Sequence, residues 1–263
     1  DGRDRTATWV VVAALWALWA IGLIALAFPH PFGLTALRVL APVPLIAGAV
    51  AATATTPGPL GWVGLVAAAV LAVAPFGSAV GEWAVNGTSY GDERWMPLRP
   101  PAPLLLGPVE LAWLITVGPF VIAAWAAVES NLPVAVAATA VGLLTAWVGI
   151  RSLHRLARRA LVFVPAGMTL VDDLAVAEPI LFPRRSVVRF GPAPADTDAL
   201  DLTAGATGLM LQIDLDAPVS LVPAVGRGTV AEAVETGAAL IAASRPGAVL
   251  RVAEERQVRV SRV

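Results

Sequence analysis

Residues 133–171, PVAVAATAVGLLTAWVGIRSLHRLARRALVFVPAGMTLV, hold the point at which the chain changes character. Up to Ile150 the stretch carries no charge and is long enough, at about 1.5 Å per helical residue, to cross most of the ~30 Å hydrocarbon core of a bilayer. Arg151, Arg155, Arg158 and Arg159 follow at once. Beyond them the apolar residues fall into short runs of period two, punctuated by Gly and Pro, which is the pattern of strands. A membrane helix ending in basic residues at the headgroups therefore gives way to a water-facing β structure. The expected division is a transmembrane helical domain over residues 1–150 and a β-rich α+β cytoplasmic domain over residues 151–263.

Composition agrees with an oily first half. Of 263 residues 57% are hydrophobic and only 14% charged, against about 25% charged in ordinary soluble domains. Five windows read as spans: Thr8–Phe28, Leu34–Ala54 with a kink at Pro42 and Pro44, Leu60–Val80, Leu104–Val128, and Pro133–Ile150. The first reads as a retained helix, because its apolar run exceeds the roughly 7–15 residues of a signal core and no small-residue cleavage site follows. The Arg bias of short loops places Arg38, Arg94, Arg99, Arg151, Arg155, Arg158 and Arg159 inside and leaves Arg3 and Arg5 outside, predicting an inner-membrane, multi-pass chain with its C-terminal domain in the cytoplasm. Trp9, Trp62, Trp83, Trp95 and Trp147 fall near span ends as interfacial anchors.

The basic residues are all Arg, 18 of them against 19 acids, so the chain lacks the positive excess of a nucleic-acid binder. Arg alone amid abundant Ala, Val, Gly and Pro points to a GC-rich bacterial genome. Cysteine is absent, which excludes disulfides, thiolate metal sites and cysteine nucleophiles. Only His30 and His154 remain as imidazoles, and neither has a second ligand at metal-binding spacing.

Within the membrane half, Arg38, Glu82 and Glu110 lie toward the same expected side. Charge near the middle of a span costs roughly 2.5–3.5 kcal/mol and less near its ends. Such a cluster reads either as a polar vestibule with Arg38 paired to Glu82 or Glu110, or as snorkelling and ordinary ion pairing. Gly77 and Gly81 form a GxxxG, a spacing that favours close helix approach.

In the polar half, Leu161–Val164, Met168–Val171, Val187–Phe190, Leu209–Asp216 and Val219–Val222 read as strands, with Pro165-Ala166-Gly167 as a hairpin turn. A helix is expected over Val230–Ser244, opened by Thr229 and Glu232 and stopped at Arg245-Pro246-Gly247, with final strands at Val249–Val252 and Val258–Val260.

Membrane helices, then Arg-Ala-Leu-Val-Phe-Val-Pro-Ala-Gly-Met-Thr-Leu-Val at 159–171, a strand into Phe182-Pro183-Arg184-Arg185, and a late helix resemble bacterial membrane proteins with a pleckstrin-homology-like domain. The order of elements over roughly 90 residues carries the resemblance. No Trp marks the closing helix, and strands are expected after it, both departures from that pattern. The resemblance implies a binding or assembly module with no catalytic role, and no phosphoinositide-binding residue carries over from it.

Motifs of chemistry are sparse. Gly226-Arg-Gly228-Thr-Val-Ala231 has the spacing of a dinucleotide loop but no βαβ unit around it. Asp214 and Asp216 share the outer face of an alternating strand. Asp196, Asp198 and Asp201 lack calcium-loop spacing. Without Lys there is no P-loop, and neither GxSxG nor HExxH occurs. Arg184, Arg185 and Arg189 form the basic patch of the second half, fit for anionic lipid or an acidic partner, or for discouraging edge pairing. The expected function is that of a non-enzymatic scaffold or assembly subunit without cofactor, contacting membrane lipids and other membrane subunits. A transporter or lipid-handling protein using Arg38, Glu82 and Glu110 is the alternative.

Overall fold

A computed structural model describes residues 2–54, 56–224 and 232–261. The chain divides into two compact units, Asp1–Gly87 with Pro108–His154, and Thr88–Gly107 with Arg155–Val263.

The first unit is helical: α1 (Gly2–Ala27), α2 (Pro31–Leu40), α3 (Pro42–Ala54), α4 (Pro59–Val73), α5 (Ser78–Asn86), α6 (Pro108–Val128) and α7 (Leu132–Ala157), whose last residues pass into the second unit. Proline writes the punctuation. Helices α2, α3, α4 and α6 each begin on one, where the fixed φ suits the first turn and the missing N–H costs nothing. The expected kink at Pro42 is thus a junction between two helices. Ala41 keeps helical dihedrals there and its N–H still reaches the Leu37 carbonyl at 2.8 Å. Among the described residues four stretches are long and apolar enough to cross a membrane: Pro31–Thr53, Pro59–Phe76, Pro108–Val128 and Leu132–Ala157. The apolar part searched in α1, Val12–Ala27, is shorter.

The outward apolar side chains of these helices, Trp16, Ile24, Val66, Trp125 and Leu144 among them, are more than half exposed, as a lipid-facing surface requires and a water-facing one does not tolerate. Helix α2 carries the buried face of the unit, with Leu34, Thr35, Leu37 and Val39. Small residues set the closest approaches elsewhere. A Cβ on Gly149 would strike the Thr116 hydroxyl of α6, and one on Gly142 would crowd the Phe120 ring. The Gly77/Gly81 pair does not act as a helix face, because Gly77 is the extended N-cap of α5. Gly87, the C-cap of α5, lies against the backbone of Pro29 so closely that a Cβ would overlap the Pro29 carbonyl. Gly87→Ala is therefore expected to destabilise the helical unit by about 1–3 kcal/mol, the usual cost of overpacking. Thermal aggregation in mild detergent reads this out, and an unchanged midpoint would refute the contact.

The second unit holds two four-stranded sheets, ordered β1-β2-β3-β4 and β5-β7-β8-β6. The strands are β1 (Arg94–Pro97), β2 (Ala160–Val164), β3 (Gly167–Val171), β4 (Ile180–Pro183), β5 (Val187–Pro192), β6 (Leu200–Asp201), β7 (Leu211–Leu221) and β8 (Val234–Ile241), followed by α8 (Pro246–Glu255). Both sheets and α8 bury into one core that includes Met96, Phe163, Phe182, Phe190, Ile213 and Val249. The hairpin turn before Gly167 forms as expected, and Gly167 takes φ +157 where a Cβ would meet the Phe182 carbonyl.

Several expectations change. Strand β1 comes from the segment between spans, pairing Arg94 with Phe163 and Pro97 with Ala160, so residues 88–107 belong to the β unit and the 1–150/151–263 division is redrawn. Trp95 sits in β1 with its indole N–H on Glu93 at 3.2 Å. The stretches 209–216 and 219–222 merge into β7, whose register shifts between Asp214 and Val219, around Pro218, which has no N–H for a ladder. The helix expected at 230–244 is strand β8. Its Ala-rich sequence favours a helix locally, but antiparallel pairing from Leu211↔Ile241 to Leu221↔Val234 overrides that propensity. The Gly226–Ala231 loop and Thr229 lie outside the described residues. Val249–Val252 is helical within α8, because Pro246 opens that helix instead of ending one. After α8, Val260 makes a single bridge to Phe190.

Candidate functional site

Of the Arg cluster at the seam, Arg151, Arg155 and Arg158 are exposed and Arg159 is buried. Arg159 immediately precedes strand β2, and its side chain turns into the β unit. Its Nε and one terminal nitrogen donate to the two oxygens of Asp172 at 2.7 Å each, a bidentate pair. Its other terminal nitrogen donates to the Arg99 carbonyl at 2.6 Å, and a further bond runs to the Thr203 carbonyl at 3.3 Å. Asp172 also caps the following turn by accepting from the Leu174 N–H. Buried, with its guanidinium donating to groups at the ends of β1, β3 and β6, Arg159 is not a lipid contact. A guanidinium this desolvated is held by four hydrogen bonds and its counter-charge. The expectation that it touches headgroups is corrected on that ground.

The rest of the seam is organised around the two histidines, 124 residues apart in sequence. Phe32, near the start of α2, stacks on His30 at 5.3 Å and on His154 of α7 at 3.9 Å, with ring planes within 5° in both cases. His30 is the N-cap of α2, its Nδ1 accepting from the Phe32 N–H at 3.1 Å. The Thr35 hydroxyl lies 3.0 Å from the Pro31 carbonyl and 3.1 Å from His154 Nδ1, within hydrogen-bond distance of both. This clasp between α2 and α7 had no signal in the sequence beyond two isolated histidines, because stacking partners share no spacing.

Arg38 is half-buried on α2. Its Nε donates to the Pro75 carbonyl at 3.1 Å and its guanidinium lies 5.7 Å from the Phe76 ring centre. Pro75 and Phe76 form the short 3-10 turn where α4 breaks before α5, so that carbonyl has lost a regular helical donor. In hydrocarbon an orphaned carbonyl costs several kcal/mol, and a nearby side chain that caps it removes the cost. Trp113 plays the same part, its indole N–H donating to Val39 at 2.8 Å beside the α2–α3 junction. Among the described residues the partners of Arg38 are thus a carbonyl and a ring, not a carboxylate. Glu82 is half-buried on α5 and Glu110 is exposed in the first turn of α6.

In the β unit, Arg184 and Arg185 are exposed in the turn between β4 and β5. Arg184 reaches the Gln257 side chain at 3.1 Å. Arg189 is drawn inward, pairing with Asp214 at 3.4 Å and donating to the Pro192 carbonyl at 3.0 Å. The basic patch therefore reduces to Arg184 and Arg185, flanked by exposed Leu181 and Val188. Asp214 is occupied by Arg189 and Gln212. Among the described residues no three His, Asp or Glu side chains are grouped to hold a metal. No protein-family model, no curated protein and no solved structure matches this chain.

Proposed function

We propose that the chain is a non-enzymatic assembly subunit of a bacterial inner-membrane complex, with a pleckstrin-homology-like domain on the cytoplasmic face that binds a protein partner. One observation carries this reading: the β unit is built from two chain segments, residues 88–107, which lead into the membrane-length α6, and the residues that follow the membrane-length α7, with β1 of the first paired to β2 of the second. Only two residues, Arg158 and Arg159, separate the end of α7 from β2. The β unit is thus entered by the chain twice, and the first of these segments contributes a strand to its sheet. Two antiparallel-rich sheets closed by a late helix support the pleckstrin-homology-like assignment, although the parallel β6–β8 pairing departs from a simple antiparallel pattern. The Arg bias of the loops supports the cytoplasmic side.

The partner surface is the exposed turn Arg184–Arg185 with Leu181 and Val188 beside it. Arginine around a small apolar centre is a composition enriched at protein interfaces, and an acidic partner surface would complement it. The chain extracted from native membranes in mild detergent is expected to bring down a stoichiometric protein. Arg184→Glu with Arg185→Glu should weaken that capture by tenfold or more while leaving the chain in the membrane fraction. A monodisperse chain with no partner, or capture indifferent to both charge reversals, would refute the scaffold. The transporter alternative loses its main residue to the capping of Pro75; uptake or lipid transfer by the purified chain alone, abolished by Arg38→Ala, would restore it.

A further inference from the structure

Capping the Pro75 carbonyl uses little of what Arg38 offers. A guanidinium carries five N–H donors, and among the described residues only the Nε of Arg38 has an acceptor, at 3.1 Å. The Phe76 ring lies 5.7 Å away, and no carboxylate pairs with the charge as Asp172 pairs with that of Arg159. We propose that the two terminal nitrogens of Arg38 bind the anionic head of a membrane-soluble amphiphile, a carboxylate or phosphate carried on an acyl chain. Every protein group in the site belongs to the helical unit. Binding of this kind requires no translocation and does not depend on the assembly-subunit reading.

Helices α2 and α5 set the depth of the site, because they meet at both ends. Gly87, the C-cap of α5, lies against Pro29 just before α2, and Arg38 reaches Pro75 just before α5. At about 1.5 Å per residue, Arg38 stands about 10 Å from Pro31 at the start of α2, and α5 from Ser78 to Asn86 spans about 13 Å. The stretch Pro31–Thr53 is long enough to cross a bilayer, so in a crossing helix the guanidinium lies about 10 Å inside one end. A free arginine at that depth turns toward the headgroups; this one is held by the Pro75 carbonyl. A charge held there is unfavourable unless an opposite charge meets it. Arg38 also joins two interruptions of the backbone. Pro42 opens α3 and has no N–H for the Arg38 carbonyl four residues back, and the turn Ala74–Phe76 breaks the run from α4 into α5. Facing interruptions of this sort are where membrane helices hold charged groups of ligands. Arg38 is only half-buried, and the Phe76 ring beside it is 53% exposed, so apolar surface continues outward from the charge. That pairing suits an acyl chain with an oxyanion at its end, which a guanidinium meets by paired N–H donation.

Oxyanions come on amphiphiles or free in solution, and the test separates the two sources. The full-length chain, purified in neutral detergent, is titrated with dodecanoate, dodecyl phosphate and dodecanol, with acetate and inorganic phosphate as competitors, and bound molecules are counted by native mass spectrometry. At least one of the two anionic amphiphiles should bind, and dodecanol should bind at least tenfold more weakly. Arg38→Gln keeps an N–H for the Pro75 carbonyl and loses the charge, so it should stay folded and bind that anion tenfold or more weakly, as expected for a lost charge-assisted pair. Arg38→Lys keeps the charge and should bind more tightly than Arg38→Gln. If Arg38→Gln proves unstable, the parent decides the matter: the anionic amphiphile should raise its thermal midpoint and dodecanol should not. The proposal is overturned if dodecanol binds or stabilises as well as the anions, if folded Arg38→Gln binds them like the parent, or if acetate or inorganic phosphate displaces them at equal concentration.

Discussion

Single cysteines introduced as Tyr90→Cys and as Arg185→Cys will react from the same side of the membrane, with no labelling by an impermeant thiol reagent in intact spheroplasts and full labelling after permeabilisation. The chain has no cysteine of its own, so each signal belongs to one site. Tyr90 is 87% exposed and precedes β1, while Arg185 is exposed between β4 and β5. The equality of the two follows from hydrogen bonding. Strand β1 pairs with β2 over four residue pairs, and a ladder cannot form across a bilayer. The helices between the two segments, α6 and α7, are each long and apolar enough to cross a membrane, and two crossings return a chain to the side it left. The choice of the cytoplasmic side is a separate matter carried by the arginine bias. Labelling of one site from outside with protection of the other would break the two-segment sheet, and with it the observation that carries the assembly-subunit reading. Labelling of both from outside would keep the sheet and reverse the orientation.

Replacing either partner of the Arg159–Asp172 pair is expected to cost about 3–5 kcal/mol, because the remaining ion would stay buried without its counter-charge. The side chains are 2% and 0% exposed. That is a large fraction of the 5–15 kcal/mol by which a typical domain is stable. Arg159→Ala also frees the Arg99 and Thr203 carbonyls, so it should be the worse of the two. Hydrogen exchange of the β2 and β3 amides in the full-length chain measures the loss, as protection should fall several-hundredfold or more. The double change Arg159→Met with Asp172→Leu should recover much of it, since a buried ion pair exchanged for apolar residues of similar size is often neutral. Full protection in Arg159→Ala would show that the guanidinium is not what joins these strand ends.

Much of the helical half is legible from local sequence. A bilayer asks each span for length and apolarity and nothing else, and both are visible within a window of about 20 residues. The strands at 160–171 and 187–192 are legible for a similar reason, since alternation and the turn residues Pro165, Ala166 and Gly167 sit side by side in the chain. Proline is less transparent. Pro119 lies inside α6, Pro42 parts two helices, and Pro246 opens one, so the same residue type admits continuation, junction or start, and packing chooses among them.

The amino-acid order alone determined that an oily helical half precedes a β-rich half, and that the change falls near Ile150, because both properties are sums over neighbouring residues. Three things were decided only in three dimensions. Residues 234–241 became a strand because β7 offered a partner. The segment after Gly87 joined the β unit because β2, more than sixty residues later, needed an edge. The four arginines at the seam parted company, three left facing outward and Arg159 taken into the core. What separates Arg159 from Arg158 is not its own chemistry but a carboxylate 13 residues away and carbonyls 44 and 60 residues away, and such partners are brought together by the fold rather than by spacing along the chain.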